Sequence, residues 1–418
     1  MQPSKKMSSF LKEFALMVST VTSYTDSRNR AFPGEGYDGV VRIAVAGYYG
    51  TGVLLYDGRA VLTAAHLFSH GSTAASVLFD TASGNQSISA SHVTTLPGYD
   101  AIEGNNDLAL VWLAGSAPVA ADRYSLYRDS DEIGRTLTMV GYGTPGTGDT
   151  GSLSSYSGAP LRLKADNQFD ADAAVLKTML GAAMGWTPAA DTQLLADFDN
   201  GSSARDALGY LMNRPSLGLG QSEGLISRGD SGGPAFINGQ IAGIASYTAS
   251  LGWAGTYPDI DDVVNSSFGE IGAWQRISHY QQWIDQSVRA HYPNAPTKPA
   301  EVQKAIAEGN SGTVYAYFLL QFTGMRSDPN QILSVDYATR DGSATAQQDY
   351  LAVRGTLVLY PNENQAVIPV EIIGDTSAEP NETFYLDVTN PVGGSFGDAV
   401  VKLTAMRTIV NDDGGVWA

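Results

Sequence analysis

The stretch Ile226-Ser227-Arg228-Gly229-Asp230-Ser231-Gly232-Gly233-Pro234 decides how the rest of the chain is read. A serine lies between glycines, directly after an acid. Glycine on both sides permits positive φ and draws the main chain away from the serine, so Gly229 to Gly233 reads as a tight, strained turn. Such a turn leaves the Ser231 hydroxyl exposed and aims neighbouring N–H groups into one concavity, as an oxyanion hole requires. Ala235-Phe236-Ile237 follows, then Asn238-Gly239, then Ile241-Ala242-Gly243-Ile244. Two apolar runs about a two-residue Asn-Gly turn predict a hairpin just after the serine.

Two upstream stretches carry the partners that a serine nucleophile needs. Val61-Leu62-Thr63-Ala64-Ala65-His66 is an apolar strand running into a histidine, and Asn106-Asp107 opens the apolar run from Leu108 to Leu113. A serine hydroxyl is a poor nucleophile at neutral pH and needs a base with a pKa near ~6.5, which histidine offers. That base needs a buried carboxylate to hold its tautomer and stabilise the imidazolium. The order His66, Asp107, Ser231, each in such a context, resembles the chymotrypsin/trypsin-like serine endopeptidases (peptidase S1), over roughly Gly36 to Ala290. Gly272-Ala273-Trp274-Gln275-Arg276-Ile277, continuing to Trp283-Ile284, is similar to that family's last strand and closing helix.

The resemblance implies an all-β fold of two barrels with a C-terminal helix and an active site between the barrels. It implies catalytic His66, Asp107 and Ser231, an oxyanion hole from the N–H groups of Gly229 and Ser231, and hydrolysis of protein or peptide substrates through an acyl-enzyme. Ser246 corresponds to a residue that supports the aspartate. The position six before the nucleophile floors the specificity pocket; here it is Leu225, with Ile226 beside it. A neutral floor does not compensate a buried Lys or Arg charge, so small or medium apolar side chains are expected. Ser246, Tyr247 and Thr248 correspond to the strand that pairs with substrate backbone, and Gly272 and Trp274 to the opposite wall. In the family, cleavage frees an N-terminal amine that pairs with the acid before the nucleophile, here Asp230. No Ile-Val-Gly-Gly sequence is present, and cleavage between Arg30 and Ala31 is the expected substitute. The Ser…Asp…His order of α/β-hydrolase esterases is absent.

At 418 residues the chain calls for two or three domains. Its net charge of −18 disfavours nucleic acid, which needs clustered Lys and Arg. There is no cysteine, which removes disulfides, zinc–thiolate sites and cysteine catalysis together. No apolar run reaches the ~20 residues of a membrane helix. Lys5, Lys6 and Lys12 precede Phe14 to Val18 in a weak leader pattern diluted by Glu13. A secreted monomer is the expectation, with an N-terminal extension over 1–35 and a protease domain over 36–291. The segment from Thr147 to Gly220 is longer than the resembled fold needs. It holds a helical pattern from Ala171 to Gly185 and the acidic turn Asp197-Phe198-Asp199-Asn200-Gly201. That turn offers oxygens a calcium ion could use, but it lacks the spacing of a calcium loop and reads as a turn first.

Beyond the Pro-rich linker 292–301 the pattern changes to even, alternating strands: 314–322, 332–338, 355–359, 365–373, 383–388 and 400–409. Acids cluster in the loops between them. Asp336-Tyr337-Ala338-Thr339-Arg340-Asp341-Gly342, the run Gly374-Asp375 to Phe384, and Asn411-Asp412-Asp413 resemble a Calx-beta domain, over 302–413 with a short tail at 414–418. The resemblance implies an immunoglobulin-like β-sandwich that binds Ca2+ through Glu308, Asp349, Asp375, Glu379, Asp412 and Asp413, with Glu382 nearby, and that makes cell-surface or matrix contacts. Calcium takes six to eight oxygens, often from carboxylates on converging loops. The rival expectation is an inactive, protease-like binding protein held in place by that module.

Overall fold

The structure is a computed structural model that describes residues 18–154, 156–252 and 255–414. The lysine-led pattern before Val18 lies outside the described residues. Two compact units emerge. One runs to Gln281 without Tyr56–Gly58 and Ser116–Val119; those two stretches and the chain from Gln282 onward make the other.

In the first unit, β1 (Ser19–Thr20) comes before a closed barrel. The barrel strands are β2 (Val40–Val45), β3 (Tyr48–Leu54), β4 (Ala60–Thr63), β5 (Ala75–Thr81), β6 (Gly84–Thr95) and β7 (Ala109–Leu113), in spatial order β2-β3-β4-β7-β6-β5. Strict alternation makes β5 a barrel strand: Ala75, Val77, Phe79 and Thr81 are buried while Ser76, Leu78 and Asp80 are half-buried.

The second half holds β8 (Thr136–Gly141), β9 (Gly146–Thr147), β10 (Gly151–Ser152), β11 (Leu163–Gln168), β12 (Ala171–Asp172), β13 (Gln193–Asp197), β14 (Gly224–Leu225), β15 (Pro234–Ile237), β16 (Gln240–Ala249) and β17 (Ile271–Arg276). Seven of these form an open sheet in the order β11-β8-β15-β16-β17-β13-β12, and a smaller sheet runs β10-β9-β1-β14. The two-barrel expectation is thus met by one closed barrel and one half-barrel. Asp172 caps helix α1 (Ala173–Leu180) through the N–H groups of Ala174 and Val175, so the strand ends after two residues. The Asn238-Gly239 hairpin forms as predicted, with φ of 51° and 76° at the two turn residues.

The long segment from Thr147 to Gly220 has a packing role. Alternate residues of β13 and β17 face two cores: Leu194, Ala196 and Trp274 join the half-barrel interior, while Leu195, Ile271 and Ala273 pack with α1 and α2 (Ala207–Met212). Both faces of these strands are therefore covered. The predicted helix over 171–185 is shorter, ending at Gly181, whose φ of 56° with ψ of −126° suits glycine alone. Helix α3 (Ile277–Ala290) follows β17.

The second unit is a sandwich. Strands β18 (Ala305–Ala307), β20 (Leu333–Asp341), β21 (Arg354–Leu359), β23 (Glu382–Val392) and β24 (Lys402–Val410) form one sheet; β19 (Thr313–Gln321) pairs with β22 (Gln365–Ile373). Its core includes Phe318, Ile368 and the stacked rings of Tyr350 and Phe384, 4.6 Å apart. The six expected strands are present, and the three-residue β18 is an addition too short to carry a periodic signal.

Candidate active site

His66 sits in the single turn Ala65–Phe68 that follows β4. Asp107 stands two residues before β7, which pairs with β4 from Ala60↔Trp112 to Thr63↔Ala109. The register therefore brings the two strand ends together. Asn106 takes a left-handed φ of 56°, a conformation Asn tolerates, and is held by Gly98 O and the Tyr280 hydroxyl. The Asp107 carboxylate then accepts from the His66 N–H at 2.8 Å, His66 Nδ1 at 2.7 Å and the Ser246 hydroxyl at 2.6 Å. Burial opposes ionisation of Asp107, but the His66 charge and these hydrogen bonds outweigh it and hold the carboxyl below its usual range. A carboxylate at Nδ1 keeps the proton on that nitrogen and leaves Nε2 as the basic one.

Ser231 comes from the other half of the unit. Its turn has the strained geometry read from the sequence, with φ of 100° at Gly229 and 83° at Gly232. Gly232 is also pressed against the first barrel: a Cβ there would lie 2.0 Å from Thr63 Oγ1 and 2.8 Å from Ala64 N. The serine turn thus rests on the segment that carries His66. Thr51 of β3 fastens it. The Thr51 N–H donates to Ser231 O at 2.9 Å, and its hydroxyl donates to Gly229 O at 3.0 Å and accepts from Tyr142 N at 3.1 Å. Among the described residues, the N–H groups of Gly229 and Ser231 have no hydrogen-bond acceptor. Gly229 to Gly233 also spells Gly-x-Ser-x-Gly, but the serine of α/β hydrolases stands between a strand and a helix, whereas β15 follows here.

Asp230 is buried, accepting from Gly143 N at 2.9 Å and Ser227 N at 2.8 Å. Burial pushes its carboxyl up to about 7, against the pull of those two N–H groups. The Ala31 N–H donates to Arg162 O, within the bridge Arg30↔Leu163. In the intact chain it therefore does not serve Asp230. The N-terminal segment that runs beside the predicted floor residue is β1 instead, with Ser19 opposite Leu225.

The predicted pocket residues divide. Leu225, Gly272 and Thr248 come together: Thr248 pairs with Gly272, and a Cβ on Gly272 would meet Leu225 Cδ1 at 2.9 Å and the Trp274 ring at 2.8 Å. Leu225 and Ile226 belong to the half-barrel core. Tyr247 turns to the other face, donating to Gln193 Oε1 at 2.6 Å and accepting from Trp186 Nε1 at 2.9 Å. The inserted segment supports the loop before Asp107, since Ala189 N and Gln193 Nε2 both donate to Asn105 Oδ1. Thr51 and Gln193 were not foreseeable; nothing in Gly50-Thr51-Gly52 marks a polar clamp.

In the sandwich, carboxylate oxygens of Glu308, Asp412 and Asp413 lie within 4.8 Å of one another, and so do those of Asp349, Glu379 and Glu382. Asp375 belongs to neither trio. Burial and the Asp375 charge push Glu308, of the first trio, up to about 7, and burial with the charges of Asp349 and Asp375 raises Glu379, of the second. Asp413 Oδ2 is buried without a partner.

The trypsin family model matches residues 29–185, and the Calx-beta domain model matches 321–413. The chain joins a trypsin-like domain to a Calx-beta domain. The trypsin match takes in His66 and Asp107 and stops before Ser231, whose place rests on the geometry above. Relatives include human sodium/calcium exchanger 2, 31% identical over 153 residues, covering 30% of this chain and 17% of the exchanger. Human sodium/calcium exchanger 3 is 40% identical over 72 residues (17% and 8%), and the Drosophila melanogaster sodium/calcium exchanger Calx is 33% identical over 94 (22% and 10%). The chain thus spans less than a fifth of these relatives' length. A solved structure of neuropsin, a serine protease from mouse brain, aligns with a TM-score of 0.45 at 18% identity, covering 62% of this chain and 98% of neuropsin. Among the described residues, no helix is long and apolar enough to cross a membrane.

Proposed function

We propose that the trypsin-like domain is a serine endopeptidase. Ser231 attacks the peptide carbonyl, and His66 Nε2 takes its proton and returns it to the leaving amine. Asp107 holds the imidazole and its charge, and water then cleaves the acyl-enzyme by the same route. The free N–H groups of Gly229 and Ser231 receive the oxyanion, each worth ~2.7–4 kcal/mol in comparable sites. The supporting observation is the Asp107 carboxylate, which accepts from both His66 Nδ1 and Ser246 and so leaves Nε2 as the basic nitrogen, on the segment against which the serine turn rests. A fluorophosphonate probe tests this reading. Labelling that vanishes in Ser231→Ala is expected, whereas wild-type protein that resists the probe and cleaves no peptide overturns it.

Leu225 against Gly272 gives a neutral pocket floor, so substrates with small or medium apolar side chains are proposed. A chromogenic peptide panel in which arginine substrates win would reverse that. The second reading, an inactive binding protein, draws on Asp230: its oxygens meet two N–H groups and, among the described residues, no cation.

We also propose that the Calx-beta domain binds calcium. The two carboxylate trios and the unpartnered Asp413 oxygen fit a hard cation. When bound, the ion supplies positive charge that lets these acids stay ionised side by side. Glu308, Asp412 and Asp413 hold one position, and Asp349 and Glu379, with Glu382, hold another; the charge of Asp375 acts on both.

A further inference from the structure

A second group of acids lies inside the trypsin-like domain. Asp197 ends β13, Asp199 follows two residues later, and Asp206 caps α2. All three are buried, and each offers a carboxylate oxygen within 4.8 Å of the other two. Glu223, just before β14, closes the group by accepting from Asp199 N at 2.7 Å. Backbone N–H groups satisfy part of the set: Leu208 N donates to Asp197 Oδ2, Gly209 N and Ser216 N to Asp206. Asp199 Oδ1 has no partner, although the residue is only 3% exposed. Among the described residues no Lys or Arg forms an ion pair with any of the four acids, and the neighbouring Arg205 donates instead to the carbonyls of Pro258 and Asp259.

The chain is shaped to keep these acids close. A Cβ on Gly218, whose φ is 76°, would lie 1.9 Å from Glu223 Oε2 and 2.6 Å from Asp199 Cβ. One on Gly209 would lie 2.1 Å from Asp206 Oδ1. Uncompensated carboxylates in a protein interior are costly, and buried charges are as a rule paired or bound to metal. The three carboxylates offer oxygen ligands alone, which suits a hard cation over zinc or copper.

We propose that Asp197, Asp199 and Asp206 bind a calcium ion in the trypsin-like domain, independent of the acids of the Calx-beta domain. The ion ties the end of β13 to the N-terminus of α2. Through Asp199 it also steadies Glu223, the residue ahead of the pocket strand Gly224–Leu225. The reading that competes is a set of carboxyls sharing protons.

The test compares melting of the full-length chain with that of Asp199→Asn, in chelator and in saturating calcium chloride. The amide keeps the shape and removes one charge, so in chelator the variant is expected to melt higher. In calcium the order is expected to reverse, because only the wild type has the complete cation site. The Calx-beta acids are the same in both proteins and do not affect the comparison. A variant that keeps its advantage in calcium overturns the proposal in favour of shared protons. Should the variant not fold, crystals of the unaltered chain grown with terbium chloride decide: an anomalous peak between Asp197, Asp199 and Asp206 is expected, and a flat map there rejects the site.

Discussion

The amide of Thr51 donates to the carbonyl of Ser231 at 2.9 Å, so a strand of the closed barrel holds the serine turn of the half-barrel directly. The same residue's hydroxyl bridges Gly229 O and Tyr142 N, and its carbonyl accepts from Thr63 Oγ1 at 2.7 Å. Thr51→Val keeps the shape and strands two buried polar groups. It is expected to lower stability by about 1–3 kcal/mol. It is also expected to reduce kcat by about 10–100-fold through misplacement of the turn. Thr51→Ser keeps the hydroxyl and is expected to retain most activity. Denaturant melts and peptide kinetics on the pair check this, and equal losses in both variants would show that the hydroxyl is not the clamp.

Ser246 donates one of the three hydrogen bonds that Asp107 receives. A hydrogen bond to a charged group is worth about 1.5–3 kcal/mol, so Ser246→Ala is expected to lower kcat/KM by about 10–100-fold. Ser231→Ala is expected to abolish probe labelling, whereas Ser246→Ala only slows it. A rate of labelling unchanged in Ser246→Ala would remove the serine from the site.

Asp230 gives a pH dependence of defined sign. Burial raises its carboxyl from the ordinary 3.8 to about 7 in the folded chain. A raised acid binds its proton more tightly when folded. Its contribution is therefore fully present below pH 4 and is lost as pH rises through about 7. By pH 8 the loss amounts to about 4 kcal/mol at most. Asp230→Asn cannot ionise, so its melting temperature is expected to exceed the wild type's increasingly from pH 5 to pH 8. A chain trimmed so that a free amine reaches Asp230 is expected to show the reverse trend, the wild type then gaining from the charge.

Calcium is expected to raise the melting temperature of the Calx-beta transition, by about 2.7 kcal/mol of stabilisation at a hundredfold excess over Kd. Glu308→Gln combined with Asp349→Asn removes one carboxylate from each trio and is expected to abolish most of that gain. Scanning calorimetry with and without chelator checks both statements. An unshifted wild-type transition would leave these acids as rim charges alone.

Much of the site was legible because nucleophile chemistry demands rare local patterns. Ser231 between glycines, His66 at a strand end and Asp107 before another strand are each short-range signals. The Asn238-Gly239 turn and the alternating run 365–373 were equally local, and β22 has those same bounds. What escaped reading depends on long-range register. Thr51 matters because β3 passes under a turn some 180 residues later. Glu223 and Asp206 look like ordinary surface acids until the segment folds back on Asp197 and Asp199. The direction of Tyr247 follows from strand alternation against a core built by the inserted helices, which no stretch of β16 announces.

Strand β1 is an interior member of its small sheet, parallel to Gly146–Thr147 on one side and antiparallel to Gly224–Leu225 on the other. Anyone engineering this polypeptide inherits that arrangement. A deletion carried through Thr20 would leave Leu225 without its antiparallel neighbour and Gly146 without its parallel one. Ser19 and Thr20 are in that sense part of the scaffold that holds Leu225, and expression boundaries are best drawn to include them.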